Sequence, residues 1–208
     1  MSTESLRSLR SSVLLGTFGF AAVSLGGFSV WAVAGRWFYQ NVGEGGLYAA
    51  CALVFVGLAG LLLRPLLSGP NRVWRFHRAF IPAFFAYAIV WSVCWFVLKF
   101  GKGEWLGSFL GCAAFGVVLR YFLGSKEPLS KVILVLFVAH SVGYFVGSFL
   151  YMSKGVAQGL SGLGKAQAAL ILKLLWGLCY GLGFGAGIGY AFGAFQKAVA
   201  APTSESTG

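Results

Sequence analysis

Six stretches of the chain are continuously apolar, at about 12–34, 46–67, 79–98, 105–123, 131–151 and 169–195, and polar residues gather between them. A bilayer core about 30 Å thick takes roughly 20 apolar residues of helix to cross. In lipid every backbone N–H and C=O needs an internal partner, so runs of this length can only be helices. The pattern predicts an all-α, polytopic bundle of six transmembrane helices forming one domain over residues 1–200. The polar tail 201–208 is predicted to be disordered. Connections at 35–45, 68–78, 99–104, 124–130 and 152–168 are too short to fold alone. The fourth run is the shortest, and the sixth is long enough to tilt or project from the membrane. Arg7 and Arg10 precede the first run, and Ala32-Val33-Ala34 at its end resembles a signal-peptidase site. The run nevertheless exceeds the roughly 7–15 residues of a signal core, so it reads as a retained helix.

Composition agrees with this reading. Charged residues make up 10% of the chain, against about 25% in soluble domains that must face water. The net charge of +11 could suggest nucleic acid, but the basic residues sit at the ends of apolar runs. They therefore meet lipid headgroups, and no nucleic-acid partner is expected. If the N-terminus is cytoplasmic, seven of the eight arginines fall on that side: Arg7, Arg10, Arg64, Arg72, Arg75, Arg78 and Arg120. The positive-inside rule then puts both termini in the cytoplasm of a bacterial-type inner membrane. Trp31, Trp37, Tyr48, Trp105 and Tyr151 would form the outer aromatic belt.

The sharpest internal pattern is in the last run, where Gly177, Gly181, Gly185, Gly189 and Gly193 recur every fourth residue, with Gly183 and Gly187 between them. On a helix this spacing makes a smooth, slowly wrapping groove. Small residues let helix backbones touch in lipid, where no hydrophobic drive operates between helices. Another helix, from this chain or a partner, is expected in the groove. The fifth run offers a matching stripe, Ala139, Gly143 and Gly147, and the fourth a weaker one, Ser108, Cys112 and Gly116.

Beside the fifth-run stripe lie His140, Tyr144 and Ser148, expected to face inward as a candidate ligand or cofactor site. A polar side chain at the membrane centre is costly and marks function by default. A haem or chlorin on His140 is conceivable, though no cofactor is expected. The chain has no Asp. Its acids, Glu4, Glu44, Glu104, Glu127 and Glu205, all fall in tails or connections. The four cysteines are isolated, so neither a disulfide framework nor a metal site is signalled. Ser141 follows His140 directly and points about 100° away, which is poor geometry for a nucleophile and its base. These absences argue against an enzyme.

Four further features read more simply. Gly159–Lys165 matches the start of a phosphate-binding loop but has Ala166 in place of the magnesium-binding hydroxyl, and the match reads as chance. Phe80, Phe84, Tyr87, Trp91 and Trp95 form an aromatic stripe on the third run, as core filler or lipid contact. Lys99 and Lys173, near helix ends, are expected to snorkel outward. Arg64, Arg72, Arg75 and Arg78 are expected to contact headgroups or a partner. Together these features predict a non-catalytic membrane protein, a packing or accessory subunit, scaffold or assembly factor of a membrane complex. Its partners would be the bilayer and other membrane subunits or further copies of itself. The alternative is a small oligomeric channel or transporter for a neutral or anionic solute.

Overall fold

The computed structural model describes residues 8–99 and 101–200, with side chains through Gln196. Arg7, Glu4, Glu205 and the tail predicted to be disordered lie outside the described residues. The described chain is helical and strand-free. It comprises α1 (Leu9–Ser29), a π-turn (Val30–Ala34), α2 (Gly35–Asn41), α3 (Glu44–Leu62), a 3-10 turn (Arg64–Leu66), α4 (Arg72–Leu98), α5 (Lys102–Leu123), α6 (Leu129–Met152), α7 (Lys154–Gly159) and α8 (Lys165–Ala200). Six helical segments are long and apolar enough to span a membrane, matching the six predicted runs.

Two boundaries differ from expectation. The first span does not stop at residue 34 but runs as helix to Asn41 through the π-turn. The shortest span is α3, with 19 residues, rather than the fourth, because α5 begins at Lys102. Glu104 is responsible for that early start. Its carboxylate accepts the Gly101 backbone N–H at 3.0 Å, so the acid placed in a connection is a helix cap.

The six spans form a closed ring in chain order: α1 packs on α3, α3 touches α4, α4 pairs with α5, α5 with α6 and α6 with α8, and α8 closes on α1. The contact between α3 and α4 is the thinnest of these. Leu9 lies against Gly193, so both ends of the described chain are at one end of the bundle. The 3-10 turn is tied to that end by Gln196. Its side chain donates to Leu66 O at 2.6 Å and accepts from Ser68 N at 3.1 Å. We call this the basic end, after Arg64–Arg78, and the opposite one the aromatic end.

α8 makes its contacts through two glycine faces. Gly177, Gly181, Gly185, Gly189 and Gly193 receive α1. A Cβ on Gly181 would lie 2.6 Å from the Ala21 Cα, and one on Gly189 would lie 2.9 Å from the Val13 Cα. The other face, about 200° round the helix, is the interleaved pair Gly183 and Gly187. It receives α6, with a Cβ on Gly183 reaching 2.7 Å from the Gly143 Cα. The expected pairing of the fifth and sixth spans is present, but Ala139 and Gly143 meet Gly183 rather than the every-fourth row. That row is taken by α1, whose own Gly16 faces Gly189 so closely that a Cβ on Gly16 would lie 2.6 Å from the Gly189 Cα.

A third small-residue seam joins α5 to α4. It runs through Gly103, Gly107 and Gly111, which press on Cys94, Trp91 and Tyr87. The expected stripe Ser108–Cys112–Gly116 lies one residue round the helix. Of these, Gly116 instead faces Leu129, Ile133 and Leu136 of α6. Ser108 and Cys112 are buried.

Rings fill the centre. Phe20, Phe76, Phe80, Phe115, Phe184, Phe192 and Phe195 expose no surface at all. Phe80, Phe84 and Tyr87 of the predicted stripe are core, with Phe76, Phe80 and Phe84 stacked in a column. Phe18, Leu53, Leu61, Val97 and Phe149 point outward, where lipid would cover them.

Gly185→Leu is expected to cost well over the ~1–3 kcal/mol typical of overpacking, because the new side chain would hold α8 away from α1. Gly57→Leu, at a position with open space around it, should be close to neutral. Thermal denaturation in detergent checks both, and equal melting temperatures for the two variants would refute the seam.

Candidate functional site

The close approach of α6 to α8 through Gly143 determines where His140 goes. One turn earlier on α6, its ring is carried into the middle of the bundle, fully buried. Rings from α4, from α8 and from its own helix close around it: Tyr87 at 5.4 Å, Phe184 at 5.0 Å, Tyr180 at 5.5 Å and Tyr144 at 5.8 Å between centroids.

The polar atoms form a chain across three helices. The Tyr180 hydroxyl donates to the Tyr87 hydroxyl at 3.2 Å, and Tyr87 lies 2.7 Å from His140 Nε2. With Tyr87 accepting from Tyr180, its own proton points at Nε2, so the imidazole hydrogen belongs on Nδ1. That Nδ1 has no partner among the described residues. In the apolar centre of a bundle such a group costs far more than one that can reach water.

Towards the aromatic end, Tyr144 continues the site. Its ring lies parallel to His140 and touches Trp91 of α4 and Trp176 of α8 at 5.8 and 5.6 Å. Its hydroxyl donates to Glu104 Oε1 at 3.0 Å. Glu104 thus holds the start of α5 with one oxygen and Tyr144 with the other. The indole N–H groups of both Trp91 and Trp176 are buried without an acceptor among the described residues, as are the hydroxyls of Ser108 and Ser141.

Beyond Trp176 lies Trp31, 5.7 Å away at the π-turn of the first span. Lys173 sits over the Trp31 ring at 4.6 Å and donates to the Trp31 carbonyl at 3.3 Å. A π-turn widens the helix and leaves backbone oxygens open to such a donor. Lys173 is half-buried at the aromatic end, its ammonium resting on Trp31 near the interface. Lys99 is exposed, beside Phe96.

The structure joins His140 to Tyr144, as expected from their spacing, and leaves Ser148 half-buried outside the hydrogen-bonded chain. Arg64, Arg72, Arg75 and Arg78 are exposed at the basic end, remote from this site, with Arg75 bonded to the Ser68 carbonyl at 3.2 Å. The Gly159–Lys165 segment is an exposed turn before α8. No group of three or more metal-ligating side chains occurs among the described residues. The surroundings of His140 do not fit a haem or chlorin, since Nε2 is engaged by Tyr87 and four rings close the space a macrocycle would need.

Sequence reasoning missed Tyr87, Tyr180, Trp176 and Glu104 as members of the site. Each reads alone as a core or interfacial residue. The only available signal was that Tyr87 and Tyr180 lie near the middle of apolar runs.

Comparison with family models, with curated proteins and with solved structures gives no match.

Tyr87→Phe keeps the ring and removes the hydroxyl that links His140 to Tyr180. The loss expected is about 1–2 kcal/mol, as for a strong interhelical hydrogen bond in a membrane bundle. Reversible unfolding in mixed detergent measures it. Stability equal to wild type would show that the hydroxyl chain carries no energy.

Proposed function

We propose that this chain is a small solute-handling membrane protein, an occluded carrier or gated channel for a neutral or anionic solute. The observation that carries this reading is the set of buried, unpartnered N–H groups on Trp91, His140 and Trp176, from α4, α6 and α8, whose side chains all pack on Tyr144. An ionisable side chain such as His140 at the centre of a membrane bundle is by default a functional-site candidate. A packing subunit needs a reason to recruit partners, and its best one was the glycine groove of the last span. Both glycine faces of α8 are occupied by α1 and α6 of the same chain, which weakens that role.

The filled phenylalanine column at the basic end supports an occluded state over an open pore. Passage would require the bundle to part, and the thin α3–α4 contact is the weakest seam. In this reading both termini are cytoplasmic, the arginine-rich 64–78 segment meets anionic headgroups of a bacterial-type inner membrane, and the aromatic end faces outward. Catalysis gains no support, because Ser141 and His140 diverge on one helix.

Reconstituted protein is expected to move at least one of chloride, formate, nitrate, urea or glycerol across vesicles faster than protein-free controls, and His140→Ala should slow that flux. If none of the five moves, and the native protein copurifies with a fixed partner at constant stoichiometry, the accessory-subunit reading replaces this one.

A further inference from the structure

The chemistry of the unpartnered groups narrows the solute. Trp91 Nε1, Trp176 Nε1 and His140 Nδ1 come from α4, α8 and α6, and all three side chains pack on the one Tyr144 ring. Indole nitrogens can only donate, and His140 Nδ1 carries a hydrogen once Nε2 accepts from Tyr87. All three are therefore donors, gathered around one ring. No cation can satisfy them, although the ring faces alone would suit one. A species rich in acceptors, with no donors of its own to place, satisfies them best.

The nearest carboxylate, Glu104, accepts one hydrogen bond from Tyr144 and one from Gly101, and these donors offset its repulsion of an anion only in part. Lys173 stands behind Trp31, which packs on Trp176, and supplies positive charge on the same side.

Resting on the carrier reading above, we propose that these three donors form an internal binding site for a small monovalent anion of the halide or formate class. The three nitrogens are buried to the last square ångström, so occupancy requires the Tyr144 ring to swing. This limits the ligand to a few heavy atoms.

The test is calorimetric titration of the purified full chain with potassium chloride and potassium formate, at ionic strength held constant with potassium gluconate. Saturable binding of one or both ions is expected, with a matching rise in melting temperature. Trp176→Phe and Trp91→Phe each keep the ring and remove one donor, and each should weaken binding by about tenfold. Trp74→Phe, exposed at the basic end, should change nothing. No saturable binding by wild type, or unaltered affinity in whichever tryptophan variant folds, would overturn the site. Vesicle flux separates the two readings. Urea or glycerol transport without anion binding leaves a carrier and refutes the anion. Saturable anion binding without flux of any solute keeps the site and refutes the carrier.

Discussion

Everything in this bundle depends on how closely α8 approaches its two neighbours. Lipid tails are as apolar as leucine, so apolar side chains gain nothing by leaving lipid for each other. Cohesion must come from dispersion and from short polar contacts, both of which fall off steeply with separation. Glycines on opposite faces of α8 let α1 and α6 approach until backbone meets backbone, at Gly16–Gly189 on one side and Gly143–Gly183 on the other. The Ser24 hydroxyl then reaches the Gly177 carbonyl at 2.6 Å, a bond a wider seam would not permit. α8 is thus the shared wall of two tight pairs, and the ring closes through it.

The site is a product of that geometry. Because α6 is pulled onto α8, His140 is forced inward, where Tyr180 of α8 and Tyr87 of α4 surround it. The α4–α5 seam, built on Gly103, Gly107 and Gly111, fixes the depth of Tyr87 and Trp91 in turn. The polar layer is therefore held by two seams that do not share a helix. The α3–α4 contact, without a seam of its own, is where the ring has least to lose by opening.

Much of this was legible in the sequence, for physical reasons. Span number follows from hydropathy because the bilayer imposes a length. The inward turn of His140 follows from its place beside Gly143 and Gly147. What the spacing of Gly177–Gly193 could not reveal was its partner, since a groove describes only one of its two surfaces. Gly16, one of several glycines on the first span, looks like any membrane glycine until Gly189 lies against it. The Gly103–Gly107–Gly111 seam was overlooked because Ser108 and Cys112, one residue away, drew the same reading. Tyr87, Tyr180 and Glu104 are separated by long stretches of chain, and only the fold brings them to His140 and Tyr144.

The central claim, that the glycine row of α8 is closed by the chain's own first helix, is tested most directly by cross-linking. Ser12→Cys with Gly193→Cys, in a chain whose four native cysteines are replaced, puts two Cβ atoms about 3.0 Å apart, near enough for a disulfide after slight relaxation. Oxidation in membranes should give a cross-linked monomer, detected as a shifted single-chain band that reverts on reduction. Disulfide-linked dimers, or no bond at all, would mean that the groove is filled by something other than the chain's own α1, and the account would fail at its base.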